Sequence, residues 1–235
     1  MATLALLRHG QSEWNLANRF TGWVDVDLSA QGEAEAIAAG RMLRDAGIVP
    51  DVVHTSLQKR AIRTAEVVLG ELGLTNLVPK RSWRLNERHY GALQGLDKAE
   101  TARRHGDDQV KIWRRSYSTR PPELSDDEWA AQRADPAHAD VPDDALPRAE
   151  SLADVVERMM PYWCESIVPD LHDNPAVLVV AHGNSLRALV MHLDKLSEDE
   201  VLELNIPTGI PLVYDLSPDL SPDLEPISSR YLGEA

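Results

Sequence analysis

The chain has 235 residues, 43% of them hydrophobic, and a net charge of −14 at pH 7, so it is long enough to bury a substantial core. No stretch approaches the ~18 uninterrupted apolar residues of a membrane span, no basic segment precedes an apolar one at the N-terminus, and the lone Cys164 excludes an internal disulfide, which together point to a soluble protein of the reducing cytoplasm. Residues 1–120 hold 18 Lys and Arg against 14 Asp and Glu, whereas residues 121–235 hold 6 against 24; with no basic run interleaved with aromatics, a nucleic-acid partner is not expected.

The first predicted element is a buried strand, Thr3-Leu4-Ala5-Leu6-Leu7, which ends in Arg8-His9-Gly10-Gln11-Ser12-Glu13-Trp14-Asn15. A cation, an imidazole and a glycine at a strand's carboxyl end, followed by a helix start, make a site for an anion. Ser29 then caps a helix whose buried stripe is expected to be Ala34, Ile37, Ala38, Met42 and Leu43, stopped by Gly47 and Pro50. Asp51 to Ser56 reads as a short buried strand, and Leu57 to about Gly73 as a helix that carries Arg60 in its first turns. Leu77-Val78-Pro79 is a weaker strand.

Between Leu96 and Pro147 the strand–helix rhythm breaks. Lys98 to Arg104 and Gln109 to Tyr117 are predicted helices, and Ser125 to Pro147, rich in Asp, Ala and Pro, is predicted surface loop, so the segment reads as an insertion over the sheet of one α/β domain. Ser151 caps a helix through about Ile167, and Ala176-Val177-Leu178-Val179-Val180-Ala181 is the clearest buried parallel strand. It ends in His182-Gly183-Asn184-Ser185, repeating the design of the opening loop. A helix to Lys195, a capping box at Ser197-Glu198-Asp199-Glu200, a strand from Leu212 to Leu216 and a turn-forming repeat of Ser-Pro-Asp-Leu complete the chain. The fold class is therefore α/β: a mostly parallel sheet flanked by helices on both faces, with an inserted helical and loop cap.

Two strands that each deliver His-Gly to one sheet edge suggest paired imidazoles around one ligand. Metal-ligand spacings such as HExxH and any cysteine cluster are absent, so a metal is not expected. Arg8, Arg60, Arg114 and Arg115 are natural clamps for a polyanion. Glu87, among Arg84, Arg88 and His89, is either part of a salt-bridge network or a general acid beside a phosphoryl-transfer site. The six tryptophans are scattered singly and read as packing rather than as a sugar platform.

Leu6 to Asn15, Phe20-Thr21-Gly22-Trp23, Arg81 to Gly95, Trp113-Arg114-Arg115, Ala181 to Arg187 and Leu204 to Gly209 together resemble the cofactor-dependent phosphoglycerate mutases of the histidine phosphatase superfamily. The resemblance spans nearly the whole chain except roughly 123–148 and the tail, and its Arg84-to-Gly91 stretch with Trp113-Arg114-Arg115 is specific to the mutase branch. It implies a reversible shift of phosphate between the 3- and 2-positions of glycerate, primed by 2,3-bisphosphoglycerate and needing no metal. His9 would carry the phosphoryl group, with Arg8, Arg60 and His182 around it and Glu87 as acid/base. Ser12, Asn15, Thr21, Gly22, Tyr90, Lys98, Arg114, Arg115, Gly183 and Asn184 would hold substrate phosphate and carboxylate. An even-numbered assembly, a homodimer or homotetramer, is usual in that family. Gln11 stands where the family usually has Glu, with little consequence expected. The sequence ends soon after Tyr231-Leu232-Gly233, where the family usually continues into a tail over the site, so hydrolysis is expected to compete better with transfer. A phosphatase of the same superfamily and a catalytically silent phospholigand-binding module are the other readings; the first should lack the insertion and the Trp-Arg-Arg clamp, the second the nucleophile or acid.

Overall fold

The computed structural model describes residues 2–217 and 225–233. Strand β1 (Ala2–Arg8) is followed by a single helical turn, α1 (Glu13–Leu16), and by α2 (Ala30–Asp45). Next come β2 (Val52–Thr55), α3 (Lys59–Glu71) and the two-residue β3 (Lys80–Arg81). Helices α4 (Lys98–His105), α5 (Asp107–Arg115) and α6 (Asp126–Ala134) follow with no strand between them. Helix α7 (Leu152–Tyr162) runs through a π-helical turn (Trp163–Ile167) into α8 (Val168–Asp173). Then come β4 (Ala176–Ala181), α9 (Gly183–Leu193), α10 (Glu198–Glu203), β5 (Leu212–Leu216) and β6 (Pro226–Tyr231).

The strands form one sheet in the order β3-β2-β4-β1-β5-β6. β3, β2, β4 and β1 are mutually parallel, and β5 and β6 add on antiparallel beyond β1. Side chains alternate between the faces of a strand. Leu4, Leu6, Val177 and Val179 accordingly pack with Met159, Trp163 and Leu189, while Ala5, Leu7, Leu178 and Val180 pack with Leu43, Val68 and Leu69 on the other face. Burial on both faces is why β1 and β4 read as nearly continuous apolar runs. The architecture is the expected mostly parallel α/β sheet with helices on both sides. Its register matters for the site: Arg8 sits opposite Ala181, so the histidines that follow the two strands emerge side by side.

Several local expectations are corrected. The buried residues of α2 are Gly32, Ala36, Ala39, Gly40 and Leu43; Ala34 and Ala38 are exposed, and Ile37 and Met42 are half-buried. Small residues won that face because α2 lies close against α3. A Cβ placed on Gly40 would stand 2.6 Å from the Glu71 Cβ, so the helices could not keep their spacing. Gly40→Val should therefore destabilise the protein by about 1–3 kcal/mol through overpacking, and chemical denaturation checks it. An unchanged midpoint would refute the close approach.

The weak third strand lies at Lys80–Arg81, after Pro79 rather than at 77–79. The stretch 125–147 is not wholly loop. Ser125 and Glu128 form a capping box that starts α6, and Asp126, Asp127 and Glu128 suit its N-terminal end. Trp129 then packs with Trp23, Val141 and Leu146. Strand β6 has four exposed residues in a six-residue run, so it lacked the apolar signature of a strand. The Ser-Pro-Asp-Leu repeat falls, from position 218 to 224, outside the described residues.

Candidate active site

His9 follows β1, and its backbone N–H donates to the Ala181 carbonyl (3.0 Å). The ring Nδ1 lies 2.6 Å from the Gly10 carbonyl, which can only accept, so Nδ1 carries the proton and Nε2 keeps its lone pair. Burial, reinforced by the Arg60 and Arg8 charges, holds the His9 pKa well below its usual 6.5. The imidazole is therefore neutral at pH 7 and nucleophilic at Nε2.

His182 stands at the start of α9, with its ring centroid 4.9 Å from that of His9 in an edge-on arrangement. Its Nε2 is 2.7 Å from Ser56 Oγ, at the end of β2. Burial and then the Arg60 charge push its pKa well below 6.5 as well.

A cavity of about 170 Å³ opens at this sheet edge. Arg8, Arg19, Arg60, Lys98, Arg114, Arg115 and Arg187 share its wall with one carboxylate among the described residues, Glu87. Arg60, 1% exposed, donates to the carbonyls of Gly22 (2.8 Å) and Val24 (3.1 Å). Burial lowers its pKa to about 10, which leaves it charged at neutral pH. Arg8 donates through Nη1 to the Ile206 carbonyl (2.8 Å), while its Nε is buried with no protein partner, as is Thr21 Oγ1. Gly22 adopts φ +55° at a point where a Cβ would meet the Gln94 side chain and the Tyr90 backbone, so glycine is required there.

Glu87 is held by one oxygen. Oε1 accepts from Arg88 N (2.8 Å), Asn184 N (3.1 Å) and Asn184 Nδ2 (2.9 Å), which leaves Oε2 to carry or release a proton. Asn184 is fixed in turn by Arg187 Nη1 on its Oδ1 (3.0 Å). A neutral imidazole nitrogen, a carboxyl oxygen with no protein hydrogen bond and an excess of cations thus share one cavity. This arrangement can move a phosphoryl group.

A family model described as the histidine phosphatase superfamily (branch 1) matches residues 4–145 and 123–214. The chain belongs to the histidine phosphatase superfamily. A 2,3-bisphosphoglycerate-dependent phosphoglycerate mutase of Thermobifida fusca is 61% identical over 217 residues, covering 92% of this chain and 88% of the relative. One of the same description from Nitratidesulfovibrio vulgaris is 58% identical over 234 residues, covering 100% of this chain and 92% of the relative. Among solved structures, a mycobacterial glucosyl-3-phosphoglycerate phosphatase complexed with VO3 superposes with a TM-score of 0.72 at 27% identity, covering 98% of this chain and 97% of that one.

In this member of the superfamily the cavity wall brings together Arg8, His9, Asn15, Thr21, Gly22, Arg60, Glu87, Tyr90, Lys98, Arg114, Arg115, Gly183 and Asn184, all candidates from the sequence. Two expected residues stand outside it. Ser12 caps α1, its Oγ accepting from Asn15 N, and His182 backs His9. The wall also contains residues that were not singled out: Arg19, Phe20, Arg187, Leu204, Asn205 and Ile206. Arg187 was findable, because it lies one helical turn beyond Asn184 and so shares its face.

The pH dependence follows from the direction of the His9 shift. In the unfolded chain a histidine protonates near pH 6.5, whereas folded His9 resists protonation until well below that. The stability that His9 contributes as a neutral group is present above about pH 6.5 and is lost as pH falls below it, where the unfolded state binds the proton. For the free enzyme, the rate of His9 phosphorylation should show no acid limb at pH 6.5. Rapid-quench phosphorylation between pH 5.5 and 8 checks this, and a half-maximal rate at pH 6.5 would contradict it.

Proposed function

We infer that this superfamily member is a 2,3-bisphosphoglycerate-dependent phosphoglycerate mutase, which interconverts 3-phosphoglycerate and 2-phosphoglycerate through a phosphohistidine at His9. The observation that carries the reading is that His9, with Nε2 unprotonated, and Glu87, with Oε2 free of protein hydrogen bonds, line one cavity rich in cations, in a chain 58–61% identical to enzymes of that description.

The residues fit the primer. 2,3-Bisphosphoglycerate carries two phosphates and a carboxylate, and the wall supplies seven cations together with two unpartnered buried donors, Arg8 Nε and Thr21 Oγ1. When bound, the primer supplies the phosphoryl group that His9 then carries. His9 Nε2 would direct its lone pair at phosphorus, and Glu87 Oε2 would hold the proton that the departing oxygen takes up. In the return step Glu87 Oε2 takes the proton from the attacking substrate hydroxyl, while the N–P bond breaks and Nε2 recovers its lone pair. Arg8 and Arg60 act on the equatorial oxygens, where charge is spread in the transition state. His182, whose ring packs edge-on against His9, is the third group that the resemblance places around that phosphate. Arg114, Arg115 and Lys98 take the remaining phosphate and the carboxylate, and Tyr90, Asn15, Thr21, Gly22, Gly183 and Asn184 complete the substrate site, while Ser12, outside the wall, holds Asn15 in place by capping α1.

The proposal extends to organisation. The chain works as one unit, with residues 96–147 forming the cap; Lys98, Arg114 and Arg115 come from α4 and α5 of that segment and reach the cavity. No described helix is long and apolar enough to cross a membrane, and the exposed free Cys164 suits a reducing cytoplasm. A homodimer or homotetramer is the proposed assembly.

The second reading, a phosphatase acting on a small phosphorylated acid, draws on the mycobacterial phosphatase at 27% identity. An assay of purified protein with 3-phosphoglycerate, with and without 2,3-bisphosphoglycerate, separates the two. Primer-dependent 2-phosphoglycerate supports the mutase; free phosphate as the sole product, or isomerisation indifferent to primer, overturns it.

A further inference from the structure

Glu87 can deliver a proton to a fixed point only if the loop that bears it is fixed, and three of that loop's carbonyls and one of its N–H groups are held by one buried ion pair. Arg158, on α7, is 8% exposed and Glu150 4% exposed. Arg158 donates through Nη1 to the Arg84 carbonyl (2.6 Å) and through Nη2 to those of Asn86 (2.8 Å) and Glu87 (3.0 Å). Its Nε and Nη2 also meet Glu150 (2.6 and 3.2 Å). Glu150 Oε2 accepts from His89 N (2.8 Å), and Glu150 N donates to the His89 carbonyl (2.9 Å). Residues 84 to 89 are thus bracketed at both ends and in the middle. Trp23 Nε1 on the Glu87 carbonyl (2.5 Å) and Glu87 N on Gln58 Oε1 (2.8 Å) complete the hold.

Neither Arg158 nor Glu150 borders the phosphate cavity; both line a separate hollow with Trp83 and Arg148. They therefore do not touch substrate. A buried ion pair gains little over an apolar pair of the same volume, so net stability is a poor reason to place one here. What an apolar pair could not do is satisfy three converging carbonyls and a backbone N–H. Among cations, only a guanidinium has enough N–H groups in a rigid fork to reach three carbonyls and a carboxylate at once.

We propose that Arg158 and Glu150 are positioning residues for proton transfer: they fix the Arg84–His89 loop and, through it, the place of Glu87 Oε2 relative to the substrate oxygen. The proposal rests on reading Glu87 as the proton donor and acceptor of a mutase. A displacement of about 1 Å in a reacting group costs up to roughly 100-fold in rate.

The test is a pair of double-mutant cycles on the full chain, with Arg158→Lys and Glu150→Gln made alone and each combined with Glu87→Gln, folding checked by circular dichroism and kinetics measured well below the melting transition. Arg158→Lys should lower kcat by about 10- to 100-fold while changing KM by less than about three-fold. Glu150→Gln should act in the same direction. On the Glu87→Gln background each should cost less than about three-fold more, because the group being positioned is gone. An undiminished kcat in Arg158→Lys, or losses that multiply in full with Glu87→Gln, overturns the proposal. If Arg158→Lys does not fold, the Glu150→Gln cycle decides by the same criteria. A Glu87→Gln enzyme with wild-type kcat would instead overturn the reading of Glu87 itself, and the positioning proposal with it.

Discussion

Replacing His9 with alanine should leave a folded protein that takes up no phosphate from 2,3-bisphosphoglycerate and turns over 3-phosphoglycerate about 10⁴-fold or more slowly. The size of the loss follows from the absence of a substitute. His182 is the other imidazole at this edge, but its Nε2 is occupied by Ser56 Oγ and it stands behind the cavity wall. Substrate affinity should fall far less, because the cations that bind phosphate and carboxylate come from other elements: Arg60 from α3, Lys98 from α4, Arg114 and Arg115 from α5. Acid-quenched phosphoenzyme trapping and steady-state kinetics check both halves. Alanine enzyme that still labels with phosphate would place the nucleophile elsewhere.

The second large effect is expected at Glu87. In Glu87→Gln the amide oxygen should settle at the Oε1 position, since Arg88 N, Asn184 N and Asn184 Nδ2 all donate there, and the NH₂ takes the place of Oε2. Shape and the internal hydrogen bonds survive while the transferable proton is lost. A general acid or base contributes about 10²- to 10⁴-fold, so kcat should drop within that range while KM stays close to the wild-type value. The drop should appear in both directions, because the same oxygen gives and takes the proton. A variant that loses affinity in proportion to kcat would make Glu87 a binding group instead.

The two-histidine edge was legible because it rests on short-range signals: two apolar runs, each ending in His-Gly and a helix start, which a parallel sheet aligns at one side. The face of α2 was not, because the sequence was read by the size of its apolar residues. Close approach instead selected small residues: Gly40 against Glu71 of α3, and Gly32 against the Gln11 backbone in the loop after β1. Helix α6 hid inside an Asp- and Pro-rich stretch, although Ser125 and Glu128 carried a start signal. Most of the cavity wall could be named in advance through family resemblance, whereas its depth could not: Ser12 and His182 are placed beneath or behind it by packing. The Arg158–Glu150 clamp had no local signature, since a charged pair eight residues apart reads as ordinary surface until the Arg84–His89 loop is laid across it.

The proposed phosphoryl carrier is Nε2 of His9. The most direct measurement is to treat the protein with 2,3-bisphosphoglycerate, quench under conditions that preserve phosphoramidates, and locate the phosphate by fragment mass spectrometry and phosphorus NMR. One phosphohistidine is expected, at His9 and linked through Nε2, because Nδ1 is committed to the Gly10 carbonyl. Phosphate on His182, a linkage through Nδ1, or no phosphoenzyme would contradict it.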